Sequence, residues 1–212
     1  MKALDQYTID NTPLPSLDLM ERAATAVCDA LERKFSSQKP PFVVMCGPGN
    51  NGGDGLAVSR ILSTRGYAVE CFLFNITGRL SNDCQANLER IPAEVEMHEV
   101  KSVFTFPQMK PGTVIIDALF GTGLSRPLDG GFASLVQAIN AANRTVVSID
   151  TPSGLMCEDN RYNNRQFIIQ ASLTLTFHRP KLAHLFAENE EYVGQLEVLD
   201  IGLLPQGESD ME

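Results

Sequence analysis

The chain has 212 residues, 43% of them hydrophobic and 20% charged, and a formal net charge of −9. At roughly 150 residues per domain this is one domain, and its apolar share excludes a wholly disordered chain. With 17 Lys+Arg against 26 Asp+Glu, general binding to nucleic acid or anionic membrane is disfavoured, a local basic patch aside.

The leader, residues 1–15, has weak helical periodicity in Leu4, Tyr7 and Asn11, interrupted by Pro13 and Pro15. It lacks the continuous apolar stretch of a secretory signal. Ser16 reads as an N-cap. After it, Leu17, Met20, Ala24, Val27, Leu31 and Phe35 recur near helical spacing, which predicts an amphipathic helix over 16–35. Phe42 to Cys46 is a short apolar run without alternation, as expected of a strand covered on both faces. A glycine-rich loop over 47–54 leads to a helix predicted over 55–65, ended by Gly66. A strand follows over 68–74, a helix over 82–91 capped by Ser81, a weak strand over 94–100 and a short buried strand over 113–117. Then come a glycine-rich loop over 121–131, a helix over 132–142, a strand over 145–150, and two more strands over 172–177 and 195–201.

Strands and helices alternate through most of the chain. That pattern predicts an α/β fold: Rossmann-like, three-layer α/β/α, with a mostly parallel doubly wound sheet. Residues 205–212 are polar and acidic and read as a frayed tail after a domain spanning 1–204. No apolar run approaches the roughly 18 residues of a membrane span. The five cysteines form no CxxC pair. They predict a reduced, cytoplasmic protein with neither disulfide framework nor zinc cluster.

The loop Gly47-Pro48-Gly49-Asn50-Asn51-Gly52-Gly53-Asp54-Gly55 contains the pattern G-x-G-x-x-G between strand and helix. Glycine permits positive φ and close approach of a ligand, and the amides at a helix start suit a diphosphate. An ordinary dinucleotide site wants an acid at the end of the second strand. The nearest, Glu70, comes early in that strand, and Asp54 stands where a Walker loop has lysine.

Val114-Ile115-Ile116-Asp117 and Val146-Val147-Ser148-Ile149-Asp150 share one design, an apolar strand ending in aspartate. In open α/β sheets ligands sit beyond the carboxyl ends of the strands. Neighbouring strands, about 4.8 Å apart, would bring Asp117, Asp150 and the loop with Asn51 and Asp54 to one crevice. Clustered carboxylates call for a cation or a shared proton. The all-oxygen candidates Asn51, Asp117 and Ser153 favour a hard cation over zinc or copper. In the later loop Arg126 is a candidate for a phosphate, and Lys181 is placed to offset the acids or reach a phosphate. His98, His178 and His184 read as structural or surface residues.

Taken together, Leu19-Met20-Glu21-Arg22-Ala23, the segment 47–55, Asp117-Ala118-Leu119-Phe120-Gly121-Thr122-Gly123-Leu124-Ser125-Arg126-Pro127, Ser148 to Gly154, Thr176 to Lys181 and Leu199 to Gly202 resemble the YjeF N-terminal domain family. The resemblance runs in order over nearly the whole chain. It implies an isomerase, an NAD(P)H-hydrate epimerase of Rossmann-like fold that interconverts the epimers of NADHX and NADPHX in metabolite repair. It implies coupling to a dehydratase, and a homodimer, while the acidic charge argues against a nucleic-acid or membrane partner. Substrate binding is implied at Asn50, Asn51, Gly52, Gly53 and Asp54, at Gly121, Thr122, Gly123, Leu124, Ser125, Arg126 and Pro127, and at Asp150. One potassium ion per subunit is implied at Asn51, Asp117 and Ser153.

Thr151 departs from the family's more frequent isoleucine, and Ala24 from its frequent glycine. No dehydratase segment follows Gly202, which fits both a stand-alone epimerase and one half of a fusion. Asp150 is the expected general acid and base, with Asp54 as runner-up. A non-catalytic binding scaffold and an NAD-dependent oxidoreductase are the alternative functions.

Overall fold

The computed structural model describes Tyr7, Asn11 and residues 15–203. The expectations for most of the leader and for the acidic tail lie outside the described residues. The described residues contain seven strands: β1 Phe42–Cys46, β2 Val69–Phe74, β3 Glu96–Val100, β4 Val114–Ala118, β5 Thr145–Ile149, β6 Leu173–Phe177 and β7 Gln195–Leu199. They form one sheet in the order β3-β2-β1-β4-β5-β6-β7. Every neighbouring pair is parallel. The predicted doubly wound sheet is therefore present, and it is parallel throughout.

β1, β4 and β6 are buried at every position, which is why they read as unbroken apolar runs. Their side chains alternate between two cores. Phe42, Val44 and Cys46 join the core that takes in α1 (Ser16–Phe35) and α2 (Asn50–Thr64). Val43 and Met45 join the opposite core, under α4 (Gly130–Ala141). α3 (Asn82–Leu88) packs beside α2 through Cys84. A short α5 (Glu190–Val193) carries Tyr192 and Val193 into a third cluster with Leu155, Ile168 and Ala183.

The chain leaves β1 toward β2 and β3 on one side, then returns to place β4 on the other. The boundary between β1 and β4 is therefore the topological switch point, where the loops at the strand ends diverge and leave a crevice.

Two local readings are corrected. Ser16 is the first residue of α1, and its N-cap, Pro15, makes no side-chain cap. The Ser16 hydroxyl instead donates to Asp83 Oδ2 at 2.6 Å, tying α1 to α3. The helix expected over 55–65 begins at Asn50, so the second half of the glycine loop is helical. Smaller differences fall at element ends: α3 stops at Leu88, α4 starts at Gly130 and β4 runs to Ala118. Ser81 does cap α3, accepting from the Cys84 amide at 3.2 Å.

All five cysteines are free. Burial pushes the thiols of Cys28 and Cys84 up to about 12, so they behave as small apolar groups. No helix among the described residues is long and apolar enough to cross a membrane.

Candidate active site at the switch point

The turn after β1 explains the early start of α2. No glycine of the 47–55 segment has positive φ, so the glycines answer to crowding, not to handedness. A Cβ at Gly52 would stand 1.7 Å from the carbonyl oxygen of Gly47. Only the absence of a side chain there lets the first turn of α2 fold back onto the end of β1. The start of α2 borders the crevice through Asn50 and Asp54, bringing the positive end of its helix dipole to that side.

Asp117 lies one strand away, opposite Met45 of β1 and Ser148 of β5. It is fully buried. Oδ2 accepts from Ser148 Oγ and from the Ser153 amide, each at 2.8 Å. Oδ1 accepts from Ser153 Oγ at 2.5 Å and from the Leu119 amide at 3.3 Å. Burial pushes the Asp117 carboxyl up, against these four hydrogen bonds, which hold it down. Among the described residues no Lys or Arg forms an ion pair with it.

The oxygens around Asp117 are short of protons. Ser153 Oγ carries one hydrogen, yet it lies 2.5 Å from Asp117 Oδ1 and 3.1 Å from the Phe120 carbonyl oxygen. It already accepts from the Phe120 amide at 2.9 Å. One hydroxyl proton cannot serve both acceptors. A buried carboxyl amid hard oxygens with too few donors is chemistry that a monovalent or divalent hard cation fits. Asn51, in the first turn of α2, has a buried Nδ2 without a hydrogen-bond partner. Its amide oxygen turned to that side would be satisfied by the same cation.

Asp150 follows β5 and has a left-handed backbone, φ +67°, a conformation Asp tolerates better than most residues. Its Oδ1 lies 2.5 Å from Lys181 Nζ and accepts from Thr176 Oγ1 at 3.3 Å. Its Oδ2 turns the other way. A Cβ at Gly121 would stand 3.2 Å from Asp150 Oδ2 and 3.1 Å from Asn51 Oδ1. The glycine at 121 thus leaves room for two polar side chains to converge from different strand ends.

One cleft holds these groups. It spans ≈ 610 Å³ with its open mouth, and is lined by Asn50, Asp54, Thr122, Asp150 and Lys181. Leu19, Met20 and Ala23 of α1 and Phe177 and Ile201 supply its apolar wall. Asp54 and Asp150 therefore share the cleft, and Asp117 sits behind it, joined through Ser153 and the 120–121 backbone. Gly52 and Gly53 are buried beneath the turn. Part of the predicted loop lies elsewhere: Leu124, Arg126 and Pro127 line a separate hollow of ≈ 440 Å³, likewise with its open mouth, together with Phe132. Arg126 is exposed. Glu70 lies near the opposite end of β2, 3.2 Å from His98 Nε2, far from where a ribose acid belongs.

Sequence reasoning gave no site role to Ser148, Thr176 or Asp83, and read Ser16 only as a helix cap. Ser148 and Thr176 are hydroxyl residues next to last in buried strands, and that is the signal they carried. His184 is another buried polar group. Its Nδ1 accepts from the Lys181 amide at 3.3 Å. Burial, with the nearby Lys181 charge, lowers its pKa from 6.5 to about 4. Because the folded value lies below the unfolded one, the stability this neutral imidazole confers is complete above pH 6.5. It is lost as pH falls from 6.5 towards 4. Urea titrations at pH 7 and 4.5 should show a smaller acid loss in His184→Asn, whose amide oxygen still accepts from Lys181. An equal loss in both proteins would refute this.

The model of the family described as YjeF-related protein N-terminus matches residues 16–183. A Limosilactobacillus fermentum protein named NAD(P)H-hydrate epimerase is 34% identical over 200 residues, which cover 94% of this chain and 93% of that protein. A Moorella thermoacetica protein named bifunctional NAD(P)H-hydrate repair enzyme Nnr is 34% identical over 215 residues, 96% of this chain but 39% of that protein. Among solved structures, the crystal structure of yeast ynu0 aligns with a TM-score of 0.66 at 23% identity, over 85% of this chain and 76% of that one. The last is a likeness of fold.

Proposed function

The chain belongs to the family of YjeF-related protein N-termini, and on that premise we propose that it is an NAD(P)H-hydrate epimerase acting on the epimers of NADHX and NADPHX. The observation that carries this reading is the convergence of Asp150 and Asn51 on Gly121 at the mouth of the switch-point cleft. The substrate is a dinucleotide, and the amides at the start of α2 suit its diphosphate. Its hydrated ring bears a hydroxyl on a carbon bonded to nitrogen.

Asp150 does the proton work. Its Oδ2 gives a proton to the leaving hydroxyl as the ring nitrogen lone pair drives cleavage of the carbon–oxygen bond. Water departs and an iminium remains. Water then adds to the other face, and the Asp150 carboxylate takes the proton back. No electrons are gained or lost overall. The substrate contacts in this reading are Asn50 to Asp54, Thr122 and Asp150. Asn51, Asp117 and Ser153 would hold the potassium ion, which would neutralise the buried carboxylate and fix the loops around it. Coupling to a dehydratase is supported by the bifunctional relative's name. The homodimer follows from the family resemblance alone. The cytoplasmic location draws support from five free cysteines.

The test is to incubate a purified single epimer of NADHX with the protein and follow the epimer ratio by chromatography. Accelerated approach to the equilibrium ratio with no change in redox state is expected. Unaccelerated exchange refutes the activity, and net oxidation points to the oxidoreductase class. Replacing potassium by choline in the buffer should slow exchange and lower the melting temperature, both restored by potassium chloride. A protein indifferent to the exchange of cations does not use one here.

A further inference from the structure

Lys181 is separated from Asp150 by a whole crossover, yet it is the group that touches it most closely. Its side chain is 5% exposed and that of Asp150 13%. An ammonium has three hydrogens to donate. Here Nζ lies 2.5 Å from Asp150 Oδ1, 2.7 Å from Thr176 Oγ1, 3.2 Å from the Phe177 carbonyl and 3.4 Å from that of Arg179, so the two carbonyls share the third hydrogen. The Thr176 hydroxyl in turn donates to the same Oδ1. The three side chains make a closed triangle in which Oδ1 is occupied and Oδ2 is the oxygen left facing Gly121.

The backbone on both sides is fixed as well. Asp150 is held in its left-handed turn by its amide, which donates to the Leu175 carbonyl at 2.7 Å. Lys181 is held by its amide on His184, and His184 in turn donates its amide to the Lys181 carbonyl at 2.9 Å. An ion pair this enclosed is not a surface pair that contributes little. Its worth depends on geometry, and removing one partner leaves a buried charge exposed to no counterion.

We propose that Lys181 is a positioning residue of the epimerisation: it pins Oδ1 of Asp150 so that Oδ2 alone meets the substrate, and it is the counter-ion of the carboxylate that is present before Asp150 takes up a proton and again after it has given that proton to the leaving hydroxyl. This deepens the reading of Asp150 as the acid and base and rests on it. Charge that develops during the reaction is best met by a group already in place, because no reorganisation is then needed. Lys181 acts through Asp150, not through the substrate. Its loss should therefore lower kcat and leave KM nearly unchanged.

The experiment compares wild type, Lys181→Met, Lys181→Arg, Asp150→Asn and the double variant Asp150→Asn with Lys181→Met, in the epimer-exchange assay. Methionine fills the same channel without charge. It should cost about 100-fold in kcat, the loss expected of a misplaced catalytic group, with KM within about threefold of wild type. Lys181→Arg keeps the charge and should recover part of that loss. In the double variant the lysine substitution should add nothing to the loss from Asp150→Asn, because groups that act as one unit are not additive.

Additive losses, or a folded Lys181→Met with near-normal kcat, would overturn the proposal. Should the methionine variant not fold, Lys181→Arg carries the test. It cannot reproduce the contacts to Thr176 and Phe177, so its kcat falls about tenfold, and an undiminished kcat overturns the proposal. The outcomes separate the two readings. Wild type without exchange activity overturns both. An active Asp150→Asn removes the role of Asp150 and with it that of Lys181. An inactive Asp150→Asn beside a fully active Lys181→Met removes Lys181 alone.

Discussion

Replacing Asp150 by asparagine is expected to slow epimer exchange by about 10²- to 10⁴-fold, the range that a positioned acid–base group contributes. The fold should survive. Asparagine is among the few residues that accept a left-handed backbone, which position 150 requires. Its amide oxygen can still accept from Lys181 and Thr176, the partners of Oδ1. What the variant lacks is a transferable proton at the position of Oδ2. Circular dichroism close to wild type and a melting curve that is still cooperative, though lowered by the loss of the Lys181 counter-ion, together with collapsed turnover, would therefore isolate the chemistry from the scaffold. Near-normal turnover would eliminate Asp150 and direct attention to Asp54, which shares the cleft and is tested by Asp54→Asn.

The second large effect is on stability. Gly→Ala inside a helix ordinarily stabilises by about 0.5–1 kcal/mol. At Gly52 the sign should reverse, because the new Cβ would lie 1.7 Å from the Gly47 oxygen and 2.6 Å from its carbonyl carbon. Both are backbone atoms at the end of a central strand, and neither can swing aside. Gly52→Ala should lose about 3 kcal/mol or more, read as a lower urea midpoint or a failure to accumulate folded protein. Gly131→Ala is the control, since nothing lies within 4 Å of its Cβ in the first turn of α4. It should be neutral or mildly stabilising. Equal behaviour of the two variants would mean that crowding at the turn is not what position 52 demands.

The strands and α1 were legible because their signal is local. Phe42 to Cys46 and Val114 to Ile116 are apolar runs bounded by turn residues, and the sheet buries them on both faces. Asp117 and Asp150 stood out for the same reason, as charges at the ends of such runs. The start of α2 was not legible. Gly52, Gly53 and Gly55 are poor helix formers, and the contacts that demand them, with Gly47, with Met20 and Cys84, and with Ala118 and Cys46 respectively, appear only once the chain has folded. The same holds for Lys181. Its partner is fixed by β5 and β6 being neighbours in the sheet, which no spacing in the sequence reveals. The short turns at Arg165–Phe167 and Leu182–Leu185 have too few residues to show a period. In the 121–127 loop the glycines signalled a bend, but not that Thr122 would face the cleft while Arg126 faced away.

The groups gathered at the cleft come from the ends of β1, β4, β5 and β6. Parallel neighbours are joined only through long crossovers, so their contacts are remote along the chain and slow to form. A partly refolded molecule with its outer helices in place but β6 undocked would have Asp150 without Lys181, and one lacking β4 would have no Asp117 behind the turn. Competence for the reaction is therefore a property of the completed sheet, acquired at the last docking event and not in proportion to the helical signal regained before it.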